Sequence, residues 1–241
     1  MKQEVLFTHL GRMGYQQAWD YQEQLLAQTV GVKKAFDHLP AAEKPTRHHL
    51  LFVEHPPVYT LGKSGKREHV LISDAAREAK GIEFYPTNRG GDITFHGPGQ
   101  IVGYPILDLE KLYTDIGRYL RDLEEVMIGV MAVYGLKGER LTGETGVWLD
   151  AGTPGRERKI CAMGVRCSRW VTMHGFAFNV NTNLDYFKHI IPCGIQNKGV
   201  TSLQQELGYA LDMTTVEAQV RSAFEAVFDI KLVAPQKSLV S

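Results

Sequence analysis

The sequence predicts an α+β fold with mixed or antiparallel sheets flanked by helices. Candidate strands come in runs with helices between them, and they lack the regular βαβ rhythm of a parallel sheet. The chain has 241 residues, of which 44% are hydrophobic, which is enough for a substantial core. Neither an internal repeat nor a long linker divides it. We therefore expect a single domain over residues 1–241.

Charge and cysteine content narrow the class of protein. Lys and Arg together number 27, and so do Asp and Glu, so the net charge of zero gives no overall field toward nucleic acid or anionic membranes. The apolar runs are too short to cross a membrane, and no signal peptide pattern opens the chain. Cys161, Cys167 and Cys193 form an odd set that does not suggest a disulfide framework. These features predict a cytoplasmic protein without a nucleic-acid or membrane partner.

Hydrophobic periodicity predicts five helices and a larger number of strands. Asp74 is expected to cap the second helix, while Gly81 and Gly135 end the second and third. The predicted helices are Tyr15–Val30, Asp74–Lys80, Asp115–Tyr134, Ser202–Tyr209 and Thr214–Phe228. The predicted strands are His49–Glu54, Val58–Leu61, Ile82–Tyr85, Tyr104–Leu109, Gly146–Leu149, Lys159–Val165 and Met173–Val180, with bent strands around Ile93, Phe95 and Ile101.

A glycine-rich segment, residues 89–100, carries the densest functional signal by composition. Its paired glycines allow a ligand to contact the main chain, and Arg89 offers a fixed fork of hydrogen-bond donors. It contains neither a Walker phosphate loop nor a dinucleotide fingerprint. The alternative is a set of tight turns in a β-rich domain.

Two residues are candidates for nucleophilic catalysis. Cys193 lies between Pro192 and Gly194, which place its thiol on a turn. A thiol needs a neighbouring cation or base to become a thiolate, and the candidates are Lys159, His96, His174 and His189. Lys159 opens an apolar strand, where desolvation would lower the pKa of its amine and make it a base. The alternatives are an inert thiol and a lysine whose amine reaches water.

Alternation along two predicted strands suggests a channel. One strand has small residues on the face of Ala162 and Gly164, and the other on the face of Gly175 and Ala177. The opposite face of the second strand would carry His174 together with large aromatic side chains. Two small faces side by side leave room for an alkyl chain, although a closely packed helix would explain them equally. Cysteine and histidine spacing excludes a zinc site, since no C-x-x-C or H-x-x-x-H pair occurs.

Four motifs, in this order, resemble those of the octanoyl-ACP:protein N-octanoyltransferases, also called lipoyl(octanoyl) transferases. The resemblance runs from about residue 49 to 207. The motifs are Arg89-Gly90-Gly91-Asp92-Ile93-Thr94-Phe95-His96-Gly97-Pro98-Gly99-Gln100, Lys159-Ile160-Cys161-Ala162-Met163-Gly164, His174-Gly175-Phe176-Ala177-Phe178-Asn179-Val180-Asn181 and Pro192-Cys193-Gly194.

The resemblance implies a biotin/lipoate protein ligase-like fold and an acyl-enzyme mechanism. Cys193 would be the nucleophile, and Lys159 would activate it and act as acid and base. The acyl site would be lined by Arg89, Gly90, Gly91, Asp92, Ile93, Thr94, Phe95, His96, Ala162, Met163, Gly164, Gly175, Phe176 and Ala177. No cofactor or metal is expected, because the donor brings an activated thioester.

The same resemblance implies the partners. The donor would be octanoyl-acyl carrier protein, and the acceptors would be lipoyl domains of 2-oxoacid dehydrogenase complexes and glycine-cleavage H protein, with the enzyme acting as a monomer. An acidic carrier protein implies a local basic rim, for which Lys63, Lys66, Arg67 and Arg166 are candidates. The alternatives are an ATP-dependent lipoate-protein ligase of the same fold and a non-catalytic lipoyl-domain or carrier-binding module.

Overall fold

A computed structural model describes residues 2–191 and 198–235 of the chain. Its helices are α1 (Tyr15–Ala35), α2 (Asp74–Ala79), α3 (Ile116–Val133), α4 (Leu203–Leu207) and α5 (Met213–Phe228). Its strands are β1 (Gln3–Arg12), β2 (His48–Glu54), β3 (Val58–Leu61), β4 (Glu83–Pro86), β5 (Ile93–His96), β6 (Gln100–Ile106), β7 (Val147–Leu149), β8 (Arg158–Ser168), β9 (Val171–Asn179), β10 (Gly199–Val200) and β11 (Ile230–Val233). Within these residues, no helix is long and apolar enough to cross a membrane.

The described strands form two sheets. The larger has the order β10-β8-β9-β6-β2-β1-β11, with β7 added to β8, and the smaller has the order β4-β3-β5. Parallel and antiparallel pairs occur in both: β6 runs antiparallel to β2 and β9, whereas β1 runs parallel to β2. The predicted α+β class with mixed sheets is confirmed.

Helices cover both faces of the larger sheet, as the alternation in β2 dictates. Leu50 and Phe52 point into a core shared with α3 and α5, whereas Leu51 and Val53 pack in a second cluster against α1. Successive side chains of a strand point to opposite faces, so the continuous apolar run of β2 is what a strand buried on both sides requires. A third cluster, around Tyr59, lies beneath the smaller sheet.

Two strands of the larger sheet, β1 and β11, have no counterpart in the sequence prediction. β1 lies parallel between β2 and β11, with Gln3 opposite Ile230 and Val5 opposite His48. Only Val5 of β1 is fully buried. Its partners come from distant parts of the chain, so neither strand carries the local alternation by which an isolated strand is identified.

Helix ends show where local signals hold and where tertiary contacts override them. α3 begins where predicted, and Asp115 caps it by accepting a hydrogen bond from the Arg118 amide. Asp74 was expected to cap α2, but that expectation is wrong: Ser73 is the cap and Asp74 is the first helical residue. α1 continues to Ala35, five residues beyond the predicted end, because buried Lys33 is held by an ion pair to Asp108 at 2.5 Å.

Candidate functional site

Lys159 lies near the start of β8, which pairs with β7 and with β10. It is opposite Trp148 of β7 on one side and Val200 of β10 on the other. The side chain is buried, and its Nζ lies 4.6 Å from the centre of the Trp148 ring. The predicted strand therefore places the lysine inside the protein and against an aromatic face.

Cys193 lies outside the described residues, but both flanks of its segment are fixed. On one side, the Ile191 amide donates to the His69 carbonyl at 2.8 Å. On the other, Val200 pairs with Lys159, and the amide of Thr201 donates to the Lys159 carbonyl at 3.0 Å. Val200 is seven positions after Cys193 in the sequence, and a chain of that length spans at most about 25 Å.

A cavity of about 530 Å³ lies beside Lys159, within the size range of small-molecule sites. It is open where Ser64 and Gly143 are exposed, and it is closed by buried side chains at its interior. Thirteen of the fourteen predicted acyl-site residues line it. They are Arg89, Gly90, Gly91, Asp92, Ile93, Thr94, His96, Ala162, Met163, Gly164, Gly175, Phe176 and Ala177.

Phe95 is the exception among the predicted lining residues. Its ring stacks on Tyr186 with centroids 4.5 Å apart and packs with Tyr59 in the cluster under the smaller sheet. Thr94 and His96, its neighbours on β5, both line the cavity. Because adjacent strand residues point to opposite faces, Phe95 is turned away from the cavity.

The buried Arg89 guanidinium shapes the cavity wall from within. It donates to the carbonyls of Thr60 at 2.6 Å and Asp92 at 2.8 Å, to the Thr60 hydroxyl, and to the carbonyl of Gly90. The sequence suggested that this fork of donors would face a ligand. The described bonds instead cross-link β3 and the glycine-rich loop, which fixes the course of main chain along the cavity.

The two small-residue faces adjoin, as the alternation predicted. Ala162 pairs with Ala177 and Gly164 with Gly175 across β8 and β9. A Cβ added at Gly164 would lie 2.7 Å from the carbonyl oxygen of Gly90, and one at Gly175 would overlap backbone of β6. The glycines therefore admit neighbouring main chain as well as bordering the cavity, whereas the alanine methyl groups are the small side chains of its wall.

His174 does not lie where alternation predicts. Its φ of 57° is left-handed, and its ring lies against Trp19 and Tyr104 rather than with Phe176 and Phe178. The amide of His174 donates to the Gln22 side chain at 2.9 Å, which holds this backbone conformation. A left-handed residue inside a strand breaks the period of two, so the error in the prediction has a local cause.

The histidine and tyrosine rings in the cavity wall are uncharged near neutral pH. Burial lowers the pKa of His174 to about 3, and it holds the pKa of His96 well below its usual range. Tyr15 stacks on His96 with centroids 6.0 Å apart, and Tyr104 also lines the cavity. Sequence reasoning missed both tyrosines: Tyr15 was interpreted only as an apolar helix position.

The other two cysteines are structural. Cys161 is fully buried in the core shared by α3 and α5, and burial raises the pKa of its thiol. Burial also raises the pKa of the half-buried Cys167. In the ranges 2–191 and 198–235, no cluster of three His, Cys, Asp or Glu side chains could hold a metal ion.

The proposed basic rim is mostly ion-paired. Arg67 bonds Asp74 at 2.5 Å, Arg166 bonds Glu23 at 2.7 Å, and Lys66 lies 3.5 Å from Glu68. Lys63 is exposed on the loop next to Ser64, at the open side of the cavity. Of the four candidates, Lys63 is the best placed to meet an anionic partner.

Comparison with known proteins gives matches over most of the chain. A profile of the lipoyl protein ligase A/B catalytic domain matches residues 14–225. An octanoyltransferase from Christiangramia forsetii is 56% identical over 233 residues, which cover 96% of this chain and 99% of the relative. One from Flavobacterium johnsoniae is 55% identical over 234 residues, covering 97% of this chain and all of the relative.

Solved structures show the same fold at low sequence identity. A bipartite lipoate protein ligase from Thermoplasma acidophilum, described with its E2 lipoyl domain, superposes with a TM-score of 0.68 at 15% identity, covering 99% of this chain and 88% of that one. A lipoate-protein ligase A bound with ATP gives a TM-score of 0.68 at 15% identity, covering 99% of this chain and 90% of that one. The predicted lipoate-ligase-like fold is confirmed.

Proposed function

The chain belongs to the octanoyltransferase family, and from this premise we propose that it moves an octanoyl group from acyl carrier protein to a lysine of apo lipoyl domains. Cys193 carries the group between the two partners as a thioester. The observation that supports this most directly is the position of Lys159, which is buried beside a cavity of about 530 Å³ and bonded to the flank of the Cys193 segment.

In the first half-reaction, the thiolate of Cys193 attacks the carbonyl carbon of the octanoyl thioester. The new carbon–sulfur bond forms as the bond to the pantetheine sulfur breaks. The departing thiolate takes a proton from the Lys159 ammonium, and the free carrier leaves. Both the broken and the formed bonds are thioesters, so no separate activation of the acyl group by ATP is needed.

In the second half-reaction, the neutral ε-amine of the acceptor lysine attacks the Cys193 thioester. An amide bond forms, the sulfur of Cys193 departs as thiolate, and the amine gives up one proton to Lys159. The ammonium and thiolate of the starting state are thereby restored. An ammonium beside the thiolate favours the reactive form of the cysteine in each cycle.

The cavity accounts for recognition of an acyl chain. Its wall combines the methyl groups of Ala162 and Ala177 with neutral aromatic rings, and contact with such a wall removes the alkyl surface from water. Each buried methylene contributes about 0.8 kcal/mol, so an eight-carbon chain is held far better than an acetyl group. Lys63, at the open side, is available to the acidic carrier protein.

Intact-mass measurement after mixing the protein with octanoyl-acyl carrier protein tests the mechanism. We expect one octanoyl adduct without ATP, and its loss in Cys193→Ala. Cys161→Ala is the matched control, because the thiol of Cys161 lies in the core. This variant must still form the octanoyl adduct. Lys159→Met should slow both half-reactions by at least about 100-fold, the usual contribution of a positioned acid and base.

Two outcomes would contradict the proposal. An adduct that persists in Cys193→Ala would place the acyl group elsewhere. A wild-type protein that stays unmodified by octanoyl-acyl carrier protein, yet uses ATP to activate free lipoic acid, would make it a ligase.

A further inference from the structure

A chain of hydrogen bonds between buried polar side chains runs from the wall of the acyl cavity to the strand beside Lys159. It begins at Arg89, whose guanidinium donates to the Thr60 hydroxyl at 2.9 Å, and this hydroxyl lies 3.3 Å from Nε2 of His96. Nδ1 of His96 lies 2.9 Å from Oε1 of Gln100. Each of these four side chains belongs to a residue that is at most 7% exposed, so the bonds lie out of bulk water.

From Gln100 the chain of bonds continues into the larger sheet. Nε2 of Gln100 donates to Oδ1 of Asn179 at 2.9 Å, and Nδ2 of Asn179 donates to the Thr201 carbonyl at 3.0 Å. Thr201 directly follows β10, and its amide donates to the Lys159 carbonyl at 3.0 Å. Asn179, the last residue of β9, therefore links the cavity wall to β10 and so to Lys159.

The two ends of this chain fix the direction of the bonds in it. The guanidinium at one end has donors only, and the main-chain carbonyl at the other is an acceptor only. Because the Thr201 carbonyl accepts from Asn179, the amide of Asn179 turns its oxygen toward Gln100. Oε1 of Gln100 then faces His96, which places the His96 proton on Nδ1 and leaves Nε2 to accept from the Thr60 hydroxyl. Burial holds the pKa of His96 well below its usual range, in agreement with a neutral ring.

β10 forms one side of the surroundings of Lys159. It has two residues, Gly199 and Val200, and Val200 pairs with Lys159. Both residues border a small chamber of about 20 Å³ together with Lys159 and Asn179. A strand of two residues is shorter than most and makes few ladder bonds of its own. The bond from Asn179 to the Thr201 carbonyl therefore adds a tie between β9 and the end of β10.

We propose that Asn179 positions Lys159 for proton transfer by tying β10 to the sheet, while Gln100 fixes the orientation of the Asn179 amide. The inference rests on the proposed role of Lys159 as acid and base, and it adds a positioning residue to that role. Displacing a catalytic group by about 1 Å can cost about 100-fold in rate. Loss of the tie leaves the bonds of His96 in the cavity wall in place, so it slows proton transfer more than it weakens binding of the acyl chain.

The change Asn179→Leu keeps the shape of the side chain and removes its bonds to Gln100 and Thr201. We expect the acylation rate at saturating octanoyl-pantetheine, followed by intact mass in single turnover, to fall by at least about tenfold. The donor concentration that gives half of this rate should stay within about twofold of the wild-type value, because the cavity wall is unchanged. Hydrogen exchange at the Thr201 amide, followed by NMR, should become faster because β10 is less firmly held. Asn179→Ser, whose shorter side chain cannot span both partners, should show the same pattern even if leucine packs poorly.

Asn181→Leu is the matched control for this substitution. The amide of Asn181 also bonds main chain, since it donates to the Leu211 carbonyl at 2.8 Å and accepts from the Leu211 amide at 3.0 Å. Neither residue borders the chamber or the acyl cavity, so the acylation rate of this variant should equal that of the wild type even if it unfolds at a lower temperature.

Three results would overturn the proposal. The first is a wild-type acylation rate in both variants at position 179, and the second is an equal loss of rate in Asn179→Leu and Asn181→Leu. The third is a ¹⁵N NMR spectrum of the wild type that places the His96 proton on Nε2, because the bonds would then run differently. A wild-type protein that forms no adduct refutes the acyl-enzyme mechanism, which is a different result, and exchange at the Thr201 amide still measures the tie.

Discussion

Four buried histidines predict that the protein loses stability in mild acid. His48, His55, His96 and His174 are each at most 6% exposed. Burial lowers the pKa of His48 and His55 to about 4, and that of His174 to about 3, and holds the pKa of His96 well below its usual range. In the unfolded chain these groups titrate near 6.5. At pH values between the folded and the unfolded pKa, the unfolded state binds more protons than the folded state. The free energy of unfolding therefore falls as the pH falls.

The size of the effect follows from the same linkage. Lowering the pH from 7.5 to 5.5 crosses the unfolded pKa but stays above the pKa of the folded groups. Each histidine then costs about 1.4 kcal/mol, and the four together cost about 5.5 kcal/mol. A domain has only about 5–15 kcal/mol of stability, so this loss is about a third of the total or more. Most carboxylates titrate below this window and contribute little to the change.

Urea unfolding at pH 7.5 and 5.5 measures this loss. His48→Asn should reduce it by about 1.4 kcal/mol, since asparagine can still accept the bond that the Asp108 amide donates to His48 Nδ1 but does not titrate. His38→Gln is the control, because this side chain is exposed and should leave the loss unchanged. A wild-type difference below about 1 kcal/mol between the two pH values would refute the reasoning.

Three further predictions concern packing and the cavity. Gly175→Ala should lower the free energy of unfolding by about 2–3 kcal/mol in thermal unfolding, because the added Cβ overlaps β6 backbone. In the control Gly129→Ala, on α3, the added Cβ contacts no other atom, and the free energy of unfolding should rise by about 0.5–1 kcal/mol. Lys33→Met should cost about 3–5 kcal/mol because it leaves a buried carboxylate unpaired, whereas Lys66→Met at an exposed pair should cost less than about 1 kcal/mol. Ala177→Leu should exclude about two methylenes of the acyl chain from the cavity. With acyl-pantetheine donors, kcat/KM should therefore fall about 15-fold for octanoyl but not for butanoyl. Equal losses for the two donors would contradict this prediction.

Local signals predicted those elements whose pattern is written in consecutive residues. The alternation in β8 and β9 predicted that their small faces adjoin, and Ala162 does pair with Ala177. Helical periodicity from Asp115 onward predicted the start of α3. β1 and β11 were not predicted, because each is stabilised by a partner from the other end of the chain. Pattern within a segment cannot report a neighbour that lies more than two hundred residues away.

In the candidate site, too, local motifs predicted some features and contacts between distant elements determined the others. Lys159 and the glycine-rich loop were found because motifs carry them. Trp148 was not singled out, because its ring contact with Lys159 arises from the pairing of β7 with β8. The orientation of His174 was missed because a left-handed φ is imposed by Gln22 on another element. Neither feature has a signal in the local sequence.

The flanks of the Cys193 segment connect the two halves of the proposed reaction. One flank bonds residues 69–71, and His69 of that segment bonds Asp92 of the glycine-rich loop at 2.5 Å. The other flank pairs with Lys159 through the two residues of β10. One short segment is therefore tied at one end to the wall of the acyl cavity and at the other to the proposed acid and base. Changes at His69 should consequently slow the proposed acylation of Cys193, measured by intact mass, even though the side chain does not line the cavity, because they remove the bond that ties residues 69–71 to the glycine-rich loop.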